Sequence, residues 1–247
     1  MDEINRGIYA RQIMLPELGV EGQERLINAS VLIAGAGGLG SIVSMYLAAM
    51  GIGRLGLLDN DVVSLSNLNR QLLYTQDDLE QRKVDIAERR LQNINPSMCI
   101  EKFYTFFCQE NAMNIISGYD IIVDCFDNLL ARFVLNDACI ELNLPFVHGG
   151  VFHLYGQVMT VVPRKTPCLR CILPKQDDNA FVDPKFKGII GPTAGVIASL
   201  EAMMVYKFFT GLPVDSGKML LFDGMSMAMQ SIGLEIKQDC RCQDNKK

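Results

Sequence analysis

The sequence of 247 residues lacks several features that mark broad classes of protein. It contains no proline- or glycine-rich linker and no internal repeat, so we expect a single domain over residues 1–247. It has no cluster of lysine or arginine, and its net charge is −5. This charge pattern argues against nucleic acid or an anionic membrane surface as the main partner.

Long apolar runs without charge are also absent. The most apolar late stretch, 194–209, includes Glu201 and Lys207, which favours a buried helix over a membrane span. The amino terminus has two acids and no apolar centre, so it does not resemble a signal peptide. A chain this rich in core residues does not need disulfides, so we expect a cytoplasmic location and core thiols at Cys99, Cys108, Cys125 and Cys139.

What is present is a nucleotide-binding pattern over 30–59. Four apolar residues lead into Gly35-Ala36-Gly37-Gly38-Leu39-Gly40, and an apolar helix and a second strand follow. The first glycine permits a tight turn, Gly37 and Gly38 let backbone N–H groups approach a phosphate, and Gly40 lets the helix pack on the sheet. Asp59 ends the second strand, where its carboxylate can bind ribose hydroxyls. The pattern alone suits NAD and ATP equally.

Polar residues follow the second strand. Asn67 and Arg70 lie in a turn-rich segment after Asp59, and Lys83 lies in the first turns of a helix expected over 78–93. Loops at strand ends carry ligands in open α/β sheets, so these side chains can converge on the nucleotide. Two cations beside phosphates suit a triphosphate that loses pyrophosphate, although each alone could be a surface charge.

A buried strand expected over 120–128 ends in a second polar group, made of acids and an amide. Asp127 beside a triphosphate is a candidate Mg²⁺ ligand, and Asn128 lies next to it. The alternative for this pair is a cap for the helix that carries Arg132, and both roles are compatible.

The later strands set the fold class. Strands expected over 144–151 and 155–162 are joined by too few residues for a helical crossover, so the sheet continues antiparallel. We therefore predict an α/β, Rossmann-like mixed sheet with helices on both faces. A helical segment (1–29) precedes a parallel nucleotide-binding half (30–151) and an antiparallel half (152–247).

Two pairs of cysteines lie in the antiparallel half: Cys168 with Cys171, and Cys240 with Cys242. Four thiolates form a closed tetrahedral zinc site, which is structural, and free or redox thiols are the alternative. The histidines, His148 and His153, lack metal spacing and a nearby nucleophile, so we expect hydrogen-bonding or structural roles.

Two methionine-containing stretches allow two interpretations each. The helix after Gly191 suits either core packing or a subunit interface. The alternating Met225, Met227 and Met229 suit the core by default, although methionine-rich faces also bind partners.

Together these motifs resemble the ThiF/MoeB/HesA family, relatives of the ubiquitin-activating enzymes. The resemblance runs from Tyr9-Ala10-Arg11-Gln12 to Cys242. It includes the glycine turn, the segment 65–71, Lys83, Cys125-Phe126-Asp127-Asn128 with Arg132, Gly156-Gln157 and the first cysteine pair.

The resemblance implies an ATP-dependent adenylyltransferase that acts on the C-terminal glycine of a small β-grasp sulfur carrier like ThiS or MoaD, with 152–247 as the half that binds the carrier and the zinc ion. Asp59 would hold ribose, Asp127 would place Mg²⁺, and Asn67, Arg70 and Lys83 would bind the polyphosphate. It also implies a homodimer in which Arg11 enters the partner's site; from the sequence alone, Arg11 is a solvated helix charge. Sulfur would come from a separate donor such as a cysteine desulfurase or rhodanese, for thiamine or molybdopterin biosynthesis.

The chain departs from the family pattern twice. Its second cysteine pair is one residue shorter than usual, and no cysteine lies between Cys171 and Cys240. The family's loop cysteine would fall at about Asp183 or Pro184, so we expect adenylation without a covalent thioester or acyl-disulfide there.

Three other functions fit part of the sequence. An NAD-dependent oxidoreductase explains the glycine turn and Asp59 but gives Arg70, Lys83 and the cysteine pairs no task. Activation of a carboxylate on transfer RNA keeps the chemistry but needs a basic surface. A non-catalytic scaffold would bind the carrier without turning over ATP.

Overall fold

The computed structural model describes residues 3–173, 188–214 and 217–243. Its centre is one eight-stranded sheet in the order β3-β2-β1-β4-β5-β6-β7-β8. The strands are β1 (Ser30–Ala34), β2 (Arg54–Leu58), β3 (Cys99–Phe103), β4 (Ile121–Asp124), β5 (Phe146–Phe152), β6 (Tyr155–Val161), β7 (Lys218–Asp223) and β8 (Ala228–Gly233).

The sheet changes direction at β5, as predicted. β1 to β5 pair in parallel, whereas β5–β6, β6–β7 and β7–β8 pair antiparallel. Only His153 and Leu154 separate β5 from β6, and Phe152 pairs directly with Tyr155. A connection this short can only form a hairpin, which confirms the mixed α/β fold class.

Helices lie around this sheet. They are α1 (Glu3–Ile8), α2 (Ala10–Ile13), α3 (Gly19–Ile27), α4 (Gly40–Met50), α5 (Lys83–Ile94), α6 (Gln109–Ile116), α7 (Leu129–Leu142), α8 (Leu169–Ile172) and α9 (Gly191–Thr210). Short 3₁₀ turns cover Leu65–Asn67, Gln76–Asp78 and Arg241–Gln243.

The core has two parts, one on each face of the sheet. Alternate side chains of β1 and β4 enter opposite parts: Ile33 and Val123 pack with α4 and α9, whereas Leu32 and Ile122 pack with α6 and α7. Strands buried on both faces read as continuous apolar runs, which explains the composition of β1 and β4. Among the described residues, no helix is long and apolar enough to cross a membrane.

Helix α5 begins later than the sequence predicted, at Lys83 rather than residue 78. Asp78 is buried and accepts hydrogen bonds from the Thr75 N–H (2.8 Å) and hydroxyl (2.9 Å), which cap the start of the 3₁₀ turn Gln76–Asp78. An antiparallel bridge between Val62 and Arg82 then closes the whole segment. These local bonds hold residues 75–82 outside the helix.

Two assignments to the core were wrong. Met225, Met227 and Met229 are 70%, 75% and 47% exposed, because they lie at the β7–β8 turn and on the outermost strand. Cys99 is exposed on the edge strand β3, and Cys108 is half-buried as the residue before α6, whereas Cys125 and Cys139 are buried as predicted.

Candidate nucleotide site

The glycine turn joins β1 to α4 at the carboxyl edge of the sheet. Gly35 has φ +102°, and a Cβ there would lie 2.8 Å from the carbonyl oxygen of Cys125. A Cβ on Gly40 would lie 1.8 Å from the carbonyl oxygen of Gly35 and 2.9 Å from Ile33 Cγ2. These two glycines are therefore required by backbone conformation and close packing.

Gly37 and Gly38 are different, because both are half-exposed and have space above them. An added Cβ would make ordinary contacts, with Gln71 Nε2 at 3.6 Å from Gly37, and with Arg70 Cγ at 3.6 Å and Ala194 Cβ at 3.8 Å from Gly38. Backbone N–H groups at the start of α4 are thus open to an anion, with an arginine side chain beside them.

Asp59 lies at the end of β2 and supports this turn. Its carboxylate accepts N–H bonds from Ala36 (2.7 Å) and Asp61 (2.7 Å). Burial raises the pKa of Asp59, while Lys83 and these two N–H groups oppose the rise. From the other side, the buried hydroxyl of Tyr74 donates to the Ala36 carbonyl at 2.8 Å. The turn is therefore held rigidly before any ligand binds.

Lys83 is nearly buried, with 4% of its side chain exposed, and its Nζ lies 2.8 Å from Asp61 Oδ2. The Lys83 N–H also donates to the Asp61 carbonyl at 3.1 Å. Asp61 remains 64% exposed, so a ligand can reach this ion pair from outside.

Asn67 and Arg70 lie in the loop between β2 and α5. The Asn67 carbonyl accepts N–H bonds from Arg70 (3.1 Å) and Gln71 (3.0 Å), which fixes the loop backbone. Arg70 Nη1 donates to the Ser66 carbonyl at 2.9 Å and to Asn69 Oδ1 at 3.0 Å. The stem of this arginine lies over the glycine turn.

Asp127 and Asn128 are exposed in the turn after β4. Asn128 Oδ1 accepts the Ala131 N–H at 2.9 Å, so Asn128 is the cap of α7. The Cys125 N–H donates to the Ala34 carbonyl at 2.9 Å, which places this turn against the glycine turn. The capping alternative therefore holds for Asn128, and the Asp127 carboxylate is open to solvent.

Beneath Asp127 lies a buried polar network. His148 Nδ1 is 2.7 Å from Asp124 Oδ2, and His148 Nε2 is 3.1 Å from Gln157 Nε2. Arg132 Nη1 lies 2.9 Å from Nδ1 and 3.2 Å from Nε2 of the same ring, and Arg132 Nη2 donates to the Phe126 carbonyl. Burial and the Arg132 charge lower the pKa of His148, so the ring is neutral at pH 7. The hydrogen-bonding role expected of His148 is present.

Arg11 is exposed on α2, far from the glycine turn of its own chain. The adjacent Gln12 donates to the carbonyl of Met50, the last residue of α4. Because the glycine turn lies at the other end of this helix, about 15 Å away at 1.5 Å per residue, Arg11 does not reach it within one chain.

The four predicted zinc ligands come together. The Sγ atoms of Cys168, Cys171, Cys240 and Cys242 all lie within 4.8 Å of one another. Cys168 and Cys240 are 3.5 Å apart, as are Cys171 and Cys242. Four sulfurs at the usual Zn–S distance of about 2.3 Å stand about 3.8 Å apart, so this cluster matches a tetrahedral site in size.

Sequence reasoning missed the supporting roles of Tyr74, Asp61 and Asp124. Only the acid at the end of the buried strand 121–124 gave a usable signal, because a carboxylate there needs partners. The expected position of the missing loop cysteine, at Asp183 or Pro184, lies outside the described residues.

The fold is that of an α/β protein with a mixed sheet, and the candidate nucleotide site lies at the carboxyl edge of its parallel part. The chain matches the ThiF family over residues 9–243 and belongs to it.

Its relatives include proteins much longer than this chain and proteins of similar length. It is 42% identical to "Adenylyltransferase and sulfurtransferase MOCS3" of Culex quinquefasciatus, with 96% of this chain and 55% of that protein aligned. The chain thus spans about half the length of the first curated relatives it matches. It is 38% identical to "Sulfur carrier protein adenylyltransferase" of Thermus thermophilus, with 98% of this chain and 90% of that protein aligned.

Solved structures have the same fold. The crystal structure of E. coli MccB with MccA-N7isoASN superposes with a TM-score of 0.85 at 25% identity and covers 97% of this chain and 75% of that chain. MccB with AMPCPP and MccA gives a TM-score of 0.84 at 27% identity and covers the same shares of the two chains.

Proposed function

We propose that this protein adenylates the C-terminal glycine of a small β-grasp sulfur carrier that ends in Gly-Gly, using ATP. The proposal is supported by the Arg70 side chain beside the half-exposed Gly38, and by the positions of Lys83 and Asp127 in segments that follow the neighbouring strands β2 and β4. The names of relatives aligned over nearly the whole chain support the same chemistry.

In this reaction the carrier carboxylate attacks the α-phosphorus of ATP. A new P–O bond forms, the bond between the α- and β-phosphates breaks, and pyrophosphate leaves. The N–H groups of the glycine turn bind phosphate oxygens, and Asp59 binds the ribose. Asn67, Arg70 and Lys83 bind the polyphosphate, and the two cations stabilise charge on the leaving group.

A Mg²⁺ ion fits the open carboxylate of Asp127, since Mg²⁺ takes one or two carboxylates together with phosphate oxygens. When bound, the ion would neutralise charge on the phosphates. A Zn²⁺ ion fits the four-cysteine cluster, where it would have a structural role and attach the end of the described chain to α8.

We also propose a homodimer in which Arg11 acts at the site of the partner. The position of Arg11 beside the far end of α4 supports this, because within one chain it has no route to the phosphates. Sulfur would come from a separate donor, a cysteine desulfurase or a rhodanese, that attacks the acyl-adenylate.

The main experiment is ATP–pyrophosphate exchange with Mg²⁺ and purified carriers that end in Gly-Gly. We expect carrier-dependent exchange in the wild type and at least a hundredfold loss in Arg70→Ala and Asp127→Ala, as for removal of a group that stabilises charge in the transition state. Arg54→Ala and Glu101→Ala are matched controls, because the two residues form a surface ion pair with each other and Arg54 lies at the start of β2, the end opposite Asp59. Absence of exchange with every carrier would reject the proposal.

The dimer is tested by mixing Arg11→Ala and Arg70→Ala chains. Each homodimer is inactive, but a mixed dimer has one complete site, so random mixing restores about a quarter of wild-type exchange. If mixing restores nothing while mixed dimers form, Arg11 does not act across subunits.

A further inference from the structure

The turn that carries Asp127 is fixed at the preceding residue, Phe126, where both the backbone N–H and the backbone carbonyl are hydrogen-bonded. The Phe126 N–H donates to Asp124 Oδ1 at 3.2 Å, and the Phe126 carbonyl accepts from Arg132 Nη2. Asn128, on the other side of Asp127, is anchored as the cap of α7. The backbone therefore has little freedom at Asp127, although its side chain is open.

Arg132 is itself held by a network of buried polar side chains. Its side chain is 11% exposed, and it contacts the ring of His148, which is 2% exposed. The Asp124 carboxylate, with no exposed surface, accepts from His148 Nδ1 and lies 3.8 Å from Arg132 Nη1. With the proton on Nδ1 and donated to Asp124, the neutral ring accepts at Nε2 from Gln157 and, at 3.2 Å, from Arg132 Nη1, and the 2.9 Å approach of Nη1 to Nδ1 is a contact between two donors.

Gln157 brings the last member of the network from a different part of the sheet. It lies on β6, in the antiparallel part, and its amide reaches His148 Nε2 at 3.1 Å. Gly150 leaves room for this side chain, since a Cβ there would lie 3.1 Å from Gln157 Cγ. The chain of bonds Gln157–His148–Arg132–Phe126 thus joins the antiparallel strands to the turn of Asp127.

We propose that Arg132, held by His148 and Gln157, is a positioning residue that fixes the Phe126–Asp127 turn for binding of the metal–nucleotide complex. This inference rests on the proposed function, because it assigns Asp127 to the metal ion. Partners behind a metal ligand fix its orientation, and their loss typically weakens metal binding while the ligand itself remains. The role differs from simple support of the fold, which would not change metal dependence.

The test measures binding of α,β-methylene ATP, which cannot react at the α-phosphate, as a function of Mg²⁺ concentration. We expect Arg132→Lys to raise the Mg²⁺ concentration for half-maximal binding about tenfold, and Gln157→Ala to raise it about threefold. Binding without Mg²⁺ should change less than twofold. Arg54→Lys is the matched control, since Arg54 also binds a carbonyl, of Gly118, and a carboxylate, of Glu101.

A double-mutant cycle separates positioning from support of the fold. In an Asp127→Ala background, Arg132→Lys should cause no further change in Mg²⁺ dependence, because the ligand it positions is gone. Thermal unfolding identifies variants that fail to fold, and Gln157→Ala, at the half-buried end of the network, still tests the inference if Arg132→Lys is unstable.

Two results would overturn the inference: wild-type Mg²⁺ dependence in folded Arg132→Lys and Gln157→Ala, or an equal shift in the Asp127→Ala background. A wild type that binds the analogue with Mg²⁺ but catalyses no carrier-dependent exchange would reject the proposed function and leave the positioning role supported. A wild type without Mg²⁺-dependent binding would reject both.

Discussion

The two parts of the sheet place their functional groups differently. In the parallel part, the ends of β1, β2 and β4 bring loops together, and buried hydrogen bonds at Asp59 and Asp124 hold those loops still. In the antiparallel part, cysteines far apart in sequence meet, and the outer strand exposes methionines such as Met227. The candidate nucleotide site in the parallel part therefore depends on local backbone geometry. The antiparallel part depends on the cysteine cluster, which acts as a cross-link between segments that are distant in sequence.

Loss of the cross-link should have the largest effect on stability. Cys171→Ser removes one of the four proposed zinc ligands, and we expect loss of zinc and of about 4 kcal/mol, which lowers Tm by about 8–16 °C. Cys99→Ser, at an exposed thiol, is the control. Zinc content by mass spectrometry and calorimetric Tm measure both effects, and wild-type protein purified without zinc would contradict the prediction.

Gly35→Ala tests the backbone geometry of the parallel part. The new Cβ would approach the Cys125 carbonyl at a residue with φ +102°, so we expect a loss of about 3 kcal/mol together with weaker nucleotide binding. Gly118→Ala is a matched control, with φ +88° and no atom within 4 Å of the added Cβ. It should cost about 1 kcal/mol and leave binding unchanged. Equal unfolding free energies for the two variants would show that crowding is unimportant.

Glu201 places a buried acid between the two parts, and its Oε2 has no hydrogen-bond partner among the described residues. Burial and the charge of Asp124 raise the pKa of Glu201 well above its usual value, and the charge of Arg132 opposes this rise. Glu201 Oε1 accepts a hydrogen bond from the Cys125 thiol at 3.8 Å. The native state therefore keeps a proton that the unfolded chain releases above about pH 4.5, so this contribution to stability is lost as pH rises.

Glu201→Gln should remove that slope. We expect the variant to match the wild type near pH 4 and to have the higher Tm at pH 8, with a difference that grows as the pH rises between these values. Glu141→Gln, at an exposed glutamate, should leave the slope unchanged. A Tm difference that is independent of pH between 4 and 8 would contradict this assignment.

The smallest effect concerns the exposed methionines. Met227→Ala should change the unfolding free energy by less than about 0.5 kcal/mol, since the side chain is 75% exposed. Met219→Ala, on the same hairpin but 7% exposed, should cost about 2–3 kcal/mol. Urea unfolding compares them directly, and similar losses would mean that Met227 is covered in solution.

The sequence was sufficient to predict those features of the fold that have a local cause. The β1–α4–β2 unit follows from apolar runs and required glycines, and the antiparallel turn follows from the short link between β5 and β6. The four cysteines were paired by their spacing alone.

Other features depend on contacts that no local pattern reveals. The start of α5 is set by hydrogen bonds at Asp78, and the exposure of Met227 is set by the position of β8 at the edge. The network at His148 joins β4, β5, β6 and α7, so its members become neighbours only when the sheet order is known. An alternating pattern fixes which side chains share a face, but it does not say which face is covered.

The strand order also sets the timing of folding. Val31 of β1 pairs with Ile121 of β4, ninety positions along the chain, whereas the hairpin of β5 and β6 closes across two residues. Hairpins form in about 1–10 μs, and pairings between distant segments must first close a long loop at a cost in entropy. We therefore expect the β5–β6 hairpin to form early in refolding, and the candidate nucleotide site, which requires β1 beside β4, to be among the last parts to form.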